Sequence, residues 1–428
     1  MKKDQNLTLN EPERLWFAGV DWGSQTHQVH LADAQGRERG KRGFAHSGEG
    51  LVELAKWILQ HTGTTADAIH VAIEVPHGPV VESLMERGFN VYSINPRQLD
   101  RFRDRFSPSG AKDDSRDALV LADSLRTDPR SFRALQQLDP KLVEIREWSR
   151  IIEELEQDQV RLTHRLQAHL WRYFPQLLTL SDDLAAPWLL ALWQLAPTPG
   201  KAARLRESTI AQLLKKHRIR RISAHEVVQA VRAPAIPMAP GTVDAAVAHI
   251  KILIRQITPF RQQIIRAEAQ LDLLIDHYLP MQETAAGQLV EQRDVTILRS
   301  LPGVGRIVLA TLLAEAWEAL RRRDYHALRA LSGVAPVTKR SGKSCRVLMR
   351  RAVLVRLRNA LYYWTKSAVR HDPRSRAKYE ALRARGHSYN RALRGVGDRL
   401  LRVACTMLER QTTFDPNSPP RKPAGQSV

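Results

Sequence analysis

The sequence predicts three architectures in series: an α/β domain, a pair of long helices, and a mostly helical domain. Three observations predict them. From about Leu15 to Leu125, short runs rich in Val and Ile alternate with helical stretches. Two long stretches then repeat apolar residues at spacings of three and four. Finally, a glycine-marked turn between helical patterns opens a last unit near Val295.

The first domain, residues 14–130, has strand candidates at Leu15–Val20, Gln28–Ala32, His70–Glu74 and Asn90–Ile94. Gly23 and Ser24 turn the chain after the first, and Asp33-Ala34-Gln35-Gly36 turns it after the second, so these two read as a hairpin. Helices around Gly50–Gln60 and Val80–Arg87 lead to the next two strands. A hairpin followed by helix-linked strands is how a sheet of the RNase H type begins.

The middle region, residues 139–290, carries two seams. Ile145, Trp148, Ile152, Leu155, Gln159, Leu162, Leu166, His169 and Tyr173 lie along a helix expected from Pro140 to Phe174, interrupted by two polar members. Such a helix is about 50 Å long at 1.5 Å per residue. The second seam runs Ala246, Ile250, Leu253, Ile257, Phe260, Ile264, Ala267, Leu271, Leu274 and Tyr278, and Pro259 should kink or split it. Either the two arms pair within the chain, or they form a coiled coil that dimerises or grips nucleic acid. Leu190–Pro199 and Ala233–Gly241 read as proline-marked connections around a basic cluster, Lys215–Arg221.

The third unit, residues 295–411, opens on Leu301-Pro302-Gly303-Val304-Gly305 followed by an apolar helix, the pattern of a helix-hairpin-helix. Gly303 and Gly305 would free the backbone so that amides at the next helix start can meet phosphates; a plain helix–helix turn is the alternative. Residues 412–428 are rich in Pro, Ser and Gly and read as a disordered tail.

Composition narrows the partner. The chain has 428 residues, a formal net charge of +21 and a pI near 10.4. That balance calls for a polyanion and argues against acidic proteins or small neutral substrates. No run of about 18 apolar residues suggests a membrane span. The polar N-terminus reads as no secretory signal, and Cys345 and Cys405 make neither a disulfide framework nor a zinc site. A reducing cytoplasm is the expected compartment.

Four carboxylates concentrate the chemistry. Asp21 and Glu74 each end an apolar strand, and Asp114 and Asp117 lie one helical turn apart. A carboxylate at the end of a buried strand is costly unless a cation compensates it. Four converging carboxylates would hold hard divalent cations, Mg2+ or Mn2+. In so basic a chain, the substrate of such metals is a phosphodiester backbone. Asp113 remains an alternative ligand to Asp114, and either aspartate could simply cap the helix.

A second feature is Arg340-Ser341-Gly342-Lys343-Ser344. It looks like the end of a P-loop, but Val337 stands where that motif needs glycine. What remains is a serine in a basic loop, since Tyr325–His371 holds 11 Lys or Arg among 47 residues and no Asp or Glu. Such a serine is ordinarily a phosphate contact. Arg340, Lys343, Arg346, Arg350 and Arg351 are candidate backbone-gripping residues, with Arg356 and Arg358 on the helix that follows.

Taken together, these residues resemble the IS-one-ten family of insertion-sequence transposases, the group related to the Piv invertase. The resemblance rests on Gly19-Val20-Asp21, Glu74, Ile94–Phe102 and Lys112–Ala118, then on Leu301–Gly305, Leu331–Pro336 and Arg340-Ser341-Gly342. It implies a RuvC-like domain with the tetrad Asp21, Glu74, Asp114 and Asp117, and a C-terminal domain whose nucleophile is Ser341. It also implies DNA as substrate, a structured bridge RNA as guide, and assembly as a dimer to tetramer with Ser341 of one copy completing the site of another. Two departures stand out: Asp113 replaces the family's usual Thr or Ser, and apolar Val353–Val355 replaces a common Gly-Asn pair.

Three rivals remain. A RuvC-type junction nuclease would cut with metal-activated water and need no serine. An actin-like ATPase or sugar kinase shares the Asp21-Trp22-Gly23 turn, but needs further phosphate and adenosine loops that the sequence does not display. A non-catalytic scaffold leaves the four carboxylates without a purpose.

Overall fold

A computed structural model describes residues 15–106, 114–136, 139–277, 281–283, 289–291, 293–342 and 344–416. The chain forms two units, Met1–Leu138 and Asp139–Val428.

In the first unit, the apolar opening run becomes strand β1 (Trp16–Asp21). It pairs antiparallel with β2 (Thr26–Ala32), which pairs antiparallel with β3 (Glu38–Ala45). The turn between β2 and β3 is the expected one: Gly36 has φ +80 and donates its N–H to the Asp33 carbonyl. Helix α1 (Gly48–Thr62) starts where the Ser47 hydroxyl accepts the Gly50 N–H and stops at left-handed Gly63. It leads to β4 (Ile69–Ile73), parallel to β1. Helix α2 (Pro79–Glu86) leads to β5 (Asn90–Ser93), parallel to β4. Helices α3 (Pro96–Phe106) and α4 (Asp114–Thr127) follow, and β6 (Arg133–Ala134) closes the sheet antiparallel to β5. The order is β3-β2-β1-β4-β5-β6.

Strand alternation gives the sheet two apolar faces. Ala18, Val20, Val71 and Ile73 pack with Leu54 and Ile58 of α1 and Val80 and Leu84 of α2. Phe17, Ala72 and Tyr92 pack on the other face with Leu99 of α3 and Val120, Leu121 and Leu125 of α4. Asp21 and Glu74 follow the phase of Phe17 and Ala72, so they belong to the α3/α4 face.

The second unit begins with α5 (Pro140–Tyr173), capped by the Asp139 carboxylate. A small apolar lobe follows, built from α6 (Pro187–Leu195), α7 (Pro199–Ala202), α8 (Glu207–Lys216) and α9 (Ala224–Val231). Leu190–Leu195 is therefore helix and not connection; Leu190, Leu192 and Trp193 are buried, and the break comes only after Leu195. In the basic cluster, Arg221 turns inward, 5.5 Å over the Trp188 ring and bonded to the Leu180 carbonyl.

Helix α10 (Pro240–His277) returns along α5. Pro259 lies inside it without splitting it, with Ile257 and Ile264 buried on either side. Leu166, Leu170 and Tyr173 of α5 share a core with Ile250, Leu253 and Ile257. Leu142, Ile145 and Ile152 share another with Ala267, Leu271 and Ile275. The arms thus pair antiparallel within one chain, and the seam that could have paired two chains is filled by the chain's own other arm. Tyr278 lies outside the described residues.

A short ladder, β7 (Met281–Glu283) with β8 (Leu289–Glu291), precedes α11 (Arg293–Ser300) and α12 (Arg306–Arg321). Then come α13 (Tyr325–Leu331), the hairpin of β9 (Val337–Ser341) and β10 (Ser344–Leu348), and α14 (Val355–His371), α15 (Pro373–Ala384) and α16 (Tyr389–Arg410). Leu309, Leu313, Trp364, Val396 and Leu400 centre this core. Phe414 packs against it and donates its amide to the Ser300 hydroxyl, which ties down the first residues of the segment expected to be a tail. Residues 417–428 lie outside the described residues.

Candidate functional site

The register of the sheet brings Asp21 and Glu74 together. Val20 pairs with Ile73 in parallel, so the next residues on each strand, Asp21 and Glu74, leave the same edge on adjacent strands. Ligand chemistry in open α/β sheets gathers at such carboxyl ends.

Helix α4 brings the third carboxylate. A Cβ at Gly19 would lie 1.9 Å from the Ala118 carbonyl oxygen and 2.6 Å from the Ala122 nitrogen. Only glycine lets the helix rest on β1 so closely. That contact fixes Asp117, one residue before Ala118, beside the end of β1; its side chain is only 3% exposed. Helix α4 begins at Asp114, whose side chain lies outside the described residues, as do Lys112 and Asp113 altogether.

A residue that the sequence reading passed over completes the cluster. Arg103 on α3 grips Asp117 with a two-point fork, Nε to Oδ1 at 2.7 Å and Nη2 to Oδ2 at 2.8 Å. Its Nη2 lies 3.7 Å from Glu74 Oε2, and its Nη1 donates to Asp100 at 2.6 Å. Burial works against the Arg103 charge, but the hydrogen bond and charge of Asp117 outweigh it and raise its pKa. Asp117 is buried while Arg103 keeps 27% of its side-chain surface exposed, so removing the arginine would leave the Asp117 charge poorly compensated. The available signal was spacing: Leu99, Phe102 and Arg103 share one face of α3.

The turn after Asp21 has its own support. The Gly23 amide donates to His27 Nδ1 at 3.3 Å, and His27 Nε2 meets His46 Nδ1 at 2.9 Å. Burial first, and His46 second, push the His27 pKa below its ordinary value. Asp21 is half-buried and engaged within the fold.

The donor set is all oxygen, which suits a hard divalent cation. The Arg103 guanidinium stands between two of the carboxylates and balances their charge. Among the described residues no group of three His, Cys, Asp or Glu is gathered closely enough to hold a metal. Arg103 occupies the space between Glu74 and Asp117, and Asp114 falls outside that description.

In the second unit, Ser341 ends β9 and pairs with Ser344 across a two-residue tip of Gly342, at φ +53, and Lys343, which lies outside the described residues. Arg340, Ser341 and Arg346 are exposed, as are all five residues of β10, with Val347 67% exposed. Among the described residues the Ser341 hydroxyl has no hydrogen-bond partner. Arg351 is exposed, while Arg350 is half-buried and reaches the Ala335 carbonyl. Arg356 is not available for a backbone-gripping face, because it binds Glu153, Glu315 and Ser149 inside the fold.

The two glycines before α12 differ. Gly303 has φ +82, and a Cβ there would meet the Ala368 nitrogen of α14 at 2.7 Å. Packing alone therefore requires it. Gly305 caps α12 from an open position with nothing within 4 Å of a Cβ.

Comparison with known proteins adds an independent line. A family model for DEDD-type transposases matches residues 18–175, and a model described as the IS116/IS110/IS902 transposase family matches residues 295–380. A putative transposase of Sinorhizobium fredii is 61% identical over 213 residues, which is 50% of this chain and 59% of that relative. The chain thus spans less than two thirds of that protein. The mini-circle putative transposase for IS117 of Streptomyces coelicolor is 30% identical over 93% of this chain and 95% of its own length. An uncharacterized 43.6 kDa protein of insertion element IS110, also from Streptomyces coelicolor, is 24% identical over 94% of the chain and 96% of its own length.

Proposed function

The chain belongs to the IS116/IS110/IS902 family of transposases, and on that premise we propose that it cuts and rejoins DNA strands at the ends of an insertion sequence. The observation that carries the reading is the gathering of Glu74, Asp117 and Arg103 at the sheet edge that Asp21 also ends. The sheet order, with an antiparallel hairpin followed by parallel strands, supports an RNase H-type, RuvC-like reading of this unit.

In this proposal Asp21, Glu74, Asp114 and Asp117 hold Mg2+ or Mn2+. When bound, such ions neutralise phosphate oxygens and favour departure of a 3′-oxygen. Ser341 supplies the nucleophile. Its Oγ–P bond forms as the P–O3′ bond breaks; the serine proton passes to solvent and the 3′-oxygen takes one up. The strand stays attached as a phosphoserine, so its bond energy is kept for attack by a new 3′-hydroxyl. The exposed hairpin supports this role, because a serine at such a tip can reach a phosphodiester that a buried one could not. Arg340, Lys343, Arg346, Arg350 and Arg351 hold the backbone around it, and the open start of α12 at Gly305 offers amides to a further phosphate.

The family resemblance supports a structured guide RNA and an assembly of two to four copies. It also supports a place among cytoplasmic DNA; no helix among the described residues is long and apolar enough to cross a membrane.

The test is a labelled DNA substrate run on a denaturing gel. Wild type should leave DNA linked to protein, and Ser341→Ala should lose both cleavage and adduct while still binding nucleic acid. Normal cutting by Ser341→Ala, with no adduct from wild type, would establish a junction-type nuclease using activated water instead.

A further inference from the structure

Among the described residues at the carboxylate edge, Arg103 has no step of its own in the chemistry proposed above. Both oxygens of Asp117 are engaged by its fork, and Glu74 Oε2 lies 3.7 Å from the same guanidinium. A divalent cation at Asp117 would sit within a few ångströms of that positive charge. In a site of reduced dielectric such a repulsion is far larger than in water. The guanidinium and the metal therefore exclude one another.

We propose that Arg103 is a built-in cation that closes the carboxylate site, and that it must leave Asp117 before a divalent metal can load. This rests on the metal-site reading of Asp117 and Glu74 given above.

The structure provides the exit. Nη1 is already bonded to Asp100, one helical turn back on α3, and the Asp100 side chain is 64% exposed. Arg103 can release Asp117 while keeping Asp100, which turns its head toward solvent. Exposed Arg97, Arg101 and Arg105 lie on the same helix. A phosphate drawn to this helix could offer the freed guanidinium a new anion. The latch would thus keep metal-dependent cutting low until nucleic acid arrives. Structurally, it removes an uncompensated buried Asp117 from the metal-free protein.

Mn2+ binding to the full chain, followed by the electron spin resonance of free Mn2+, tests this without reference to cleavage. Arg103→Gln should bind Mn2+ about tenfold more tightly or better, the scale of one lost charge-assisted contact. The metal-free variant should melt at a lower temperature than wild type, and saturating Mn2+ should raise its Tm by more. A merely structural arginine predicts the lower Tm with unchanged or weaker Mn2+ affinity, and that result overturns the proposal. Should Arg103→Gln not fold without metal, it can be prepared with Mn2+ present and the ion then withdrawn by a chelator. Retention of Mn2+ against more chelator than wild type withstands would support the latch, and equal or easier loss would overturn it. Asp117→Asn separates the two readings. If it abolishes Mn2+ binding, the metal site stands and the Arg103 comparison decides the latch. If Mn2+ binds equally well to Asp117→Asn, the metal site itself falls, and the latch with it.

Discussion

The carboxylate edge and the Ser341 hairpin solve opposite problems. At the edge, Asp117 is almost wholly buried, α4 rests on β1 at Gly19, and every described charge has an internal partner. At the hairpin, Arg340, Ser341 and the whole of β10 face solvent. Burial makes charge strong and geometry fixed, which suits groups that must hold a small cation. Exposure makes charge weak and the backbone adaptable, which suits groups that must find a large polyanion. In the role proposed for it, Ser341 on such a ribbon would be a poor nucleophile alone, and its activation would have to come from elsewhere.

The largest expected effects break the buried half of this contrast. Asp21→Asn, Glu74→Gln and Asp117→Asn should each reduce DNA strand cleavage to background while circular dichroism remains that of a folded protein. Full recombination by Asp21→Asn in a plasmid assay would remove the edge from the chemistry. Asp113→Ala should be much milder than Asp114→Ala, and the reverse order would exchange their roles.

Next comes the scaffold. Gly19→Ala puts a methyl group against backbone atoms of α4 at 1.9 and 2.6 Å, where no flexible side chain can yield. It should cost about 3 kcal/mol, the upper end of ordinary overpacking. Thermal melting of the full chain measures it, and a Tm equal to wild type would mean that α4 does not need its close seat on β1.

How far the sequence carried the fold depended on whether burial left a pattern. β1, β2, β4 and β5 were legible because apolar runs marked them. β3 was missed: Glu38-Arg39-Gly40-Lys41-Arg42 is an exposed edge, and six of the strand's eight residues face solvent. The carboxylates at Asp21 and Glu74 were legible because each ended an apolar run. Arg103 was not, since Asp100–Arg105 is almost continuously charged, and its shared face with Leu99 and Phe102 singles it out only once that face is seen to pack inward. Arg356 shows the same limit in reverse, an arginine that looked free and is held between helices. The antiparallel pairing of α5 with α10 was one of two readings, because a heptad seam does not state whether its partner is in the same chain.

The glycines of the α11–α12 turn give a smaller effect. Gly303→Ala should lose about 1–3 kcal/mol, from positive φ and from the α14 backbone at 2.7 Å. Gly305→Ala should change stability by under about 1 kcal/mol, as a weak cap is exchanged for a weaker one. Equal melting temperatures for the two variants would contradict the different roles assigned to them.

The smallest effects test the exposed half. Arg340→Ala, Arg346→Ala and Arg351→Ala each remove one charge that the fold itself does not use. If these side chains meet phosphates, each should weaken nucleic-acid binding by about 1 kcal/mol and lower the slope of log K against log salt by about 1, uniformly across sequences. Arg356→Ala should behave differently. Its guanidinium joins α14 to Glu153 and Glu315, so its loss should lower the Tm and leave the salt slope unchanged. Fluorescence anisotropy with labelled DNA across a salt series reads both quantities. An unchanged slope for Arg346→Ala, in the middle of the exposed strand, would mean that the hairpin does not hold the backbone. Its exposure would then need another reason.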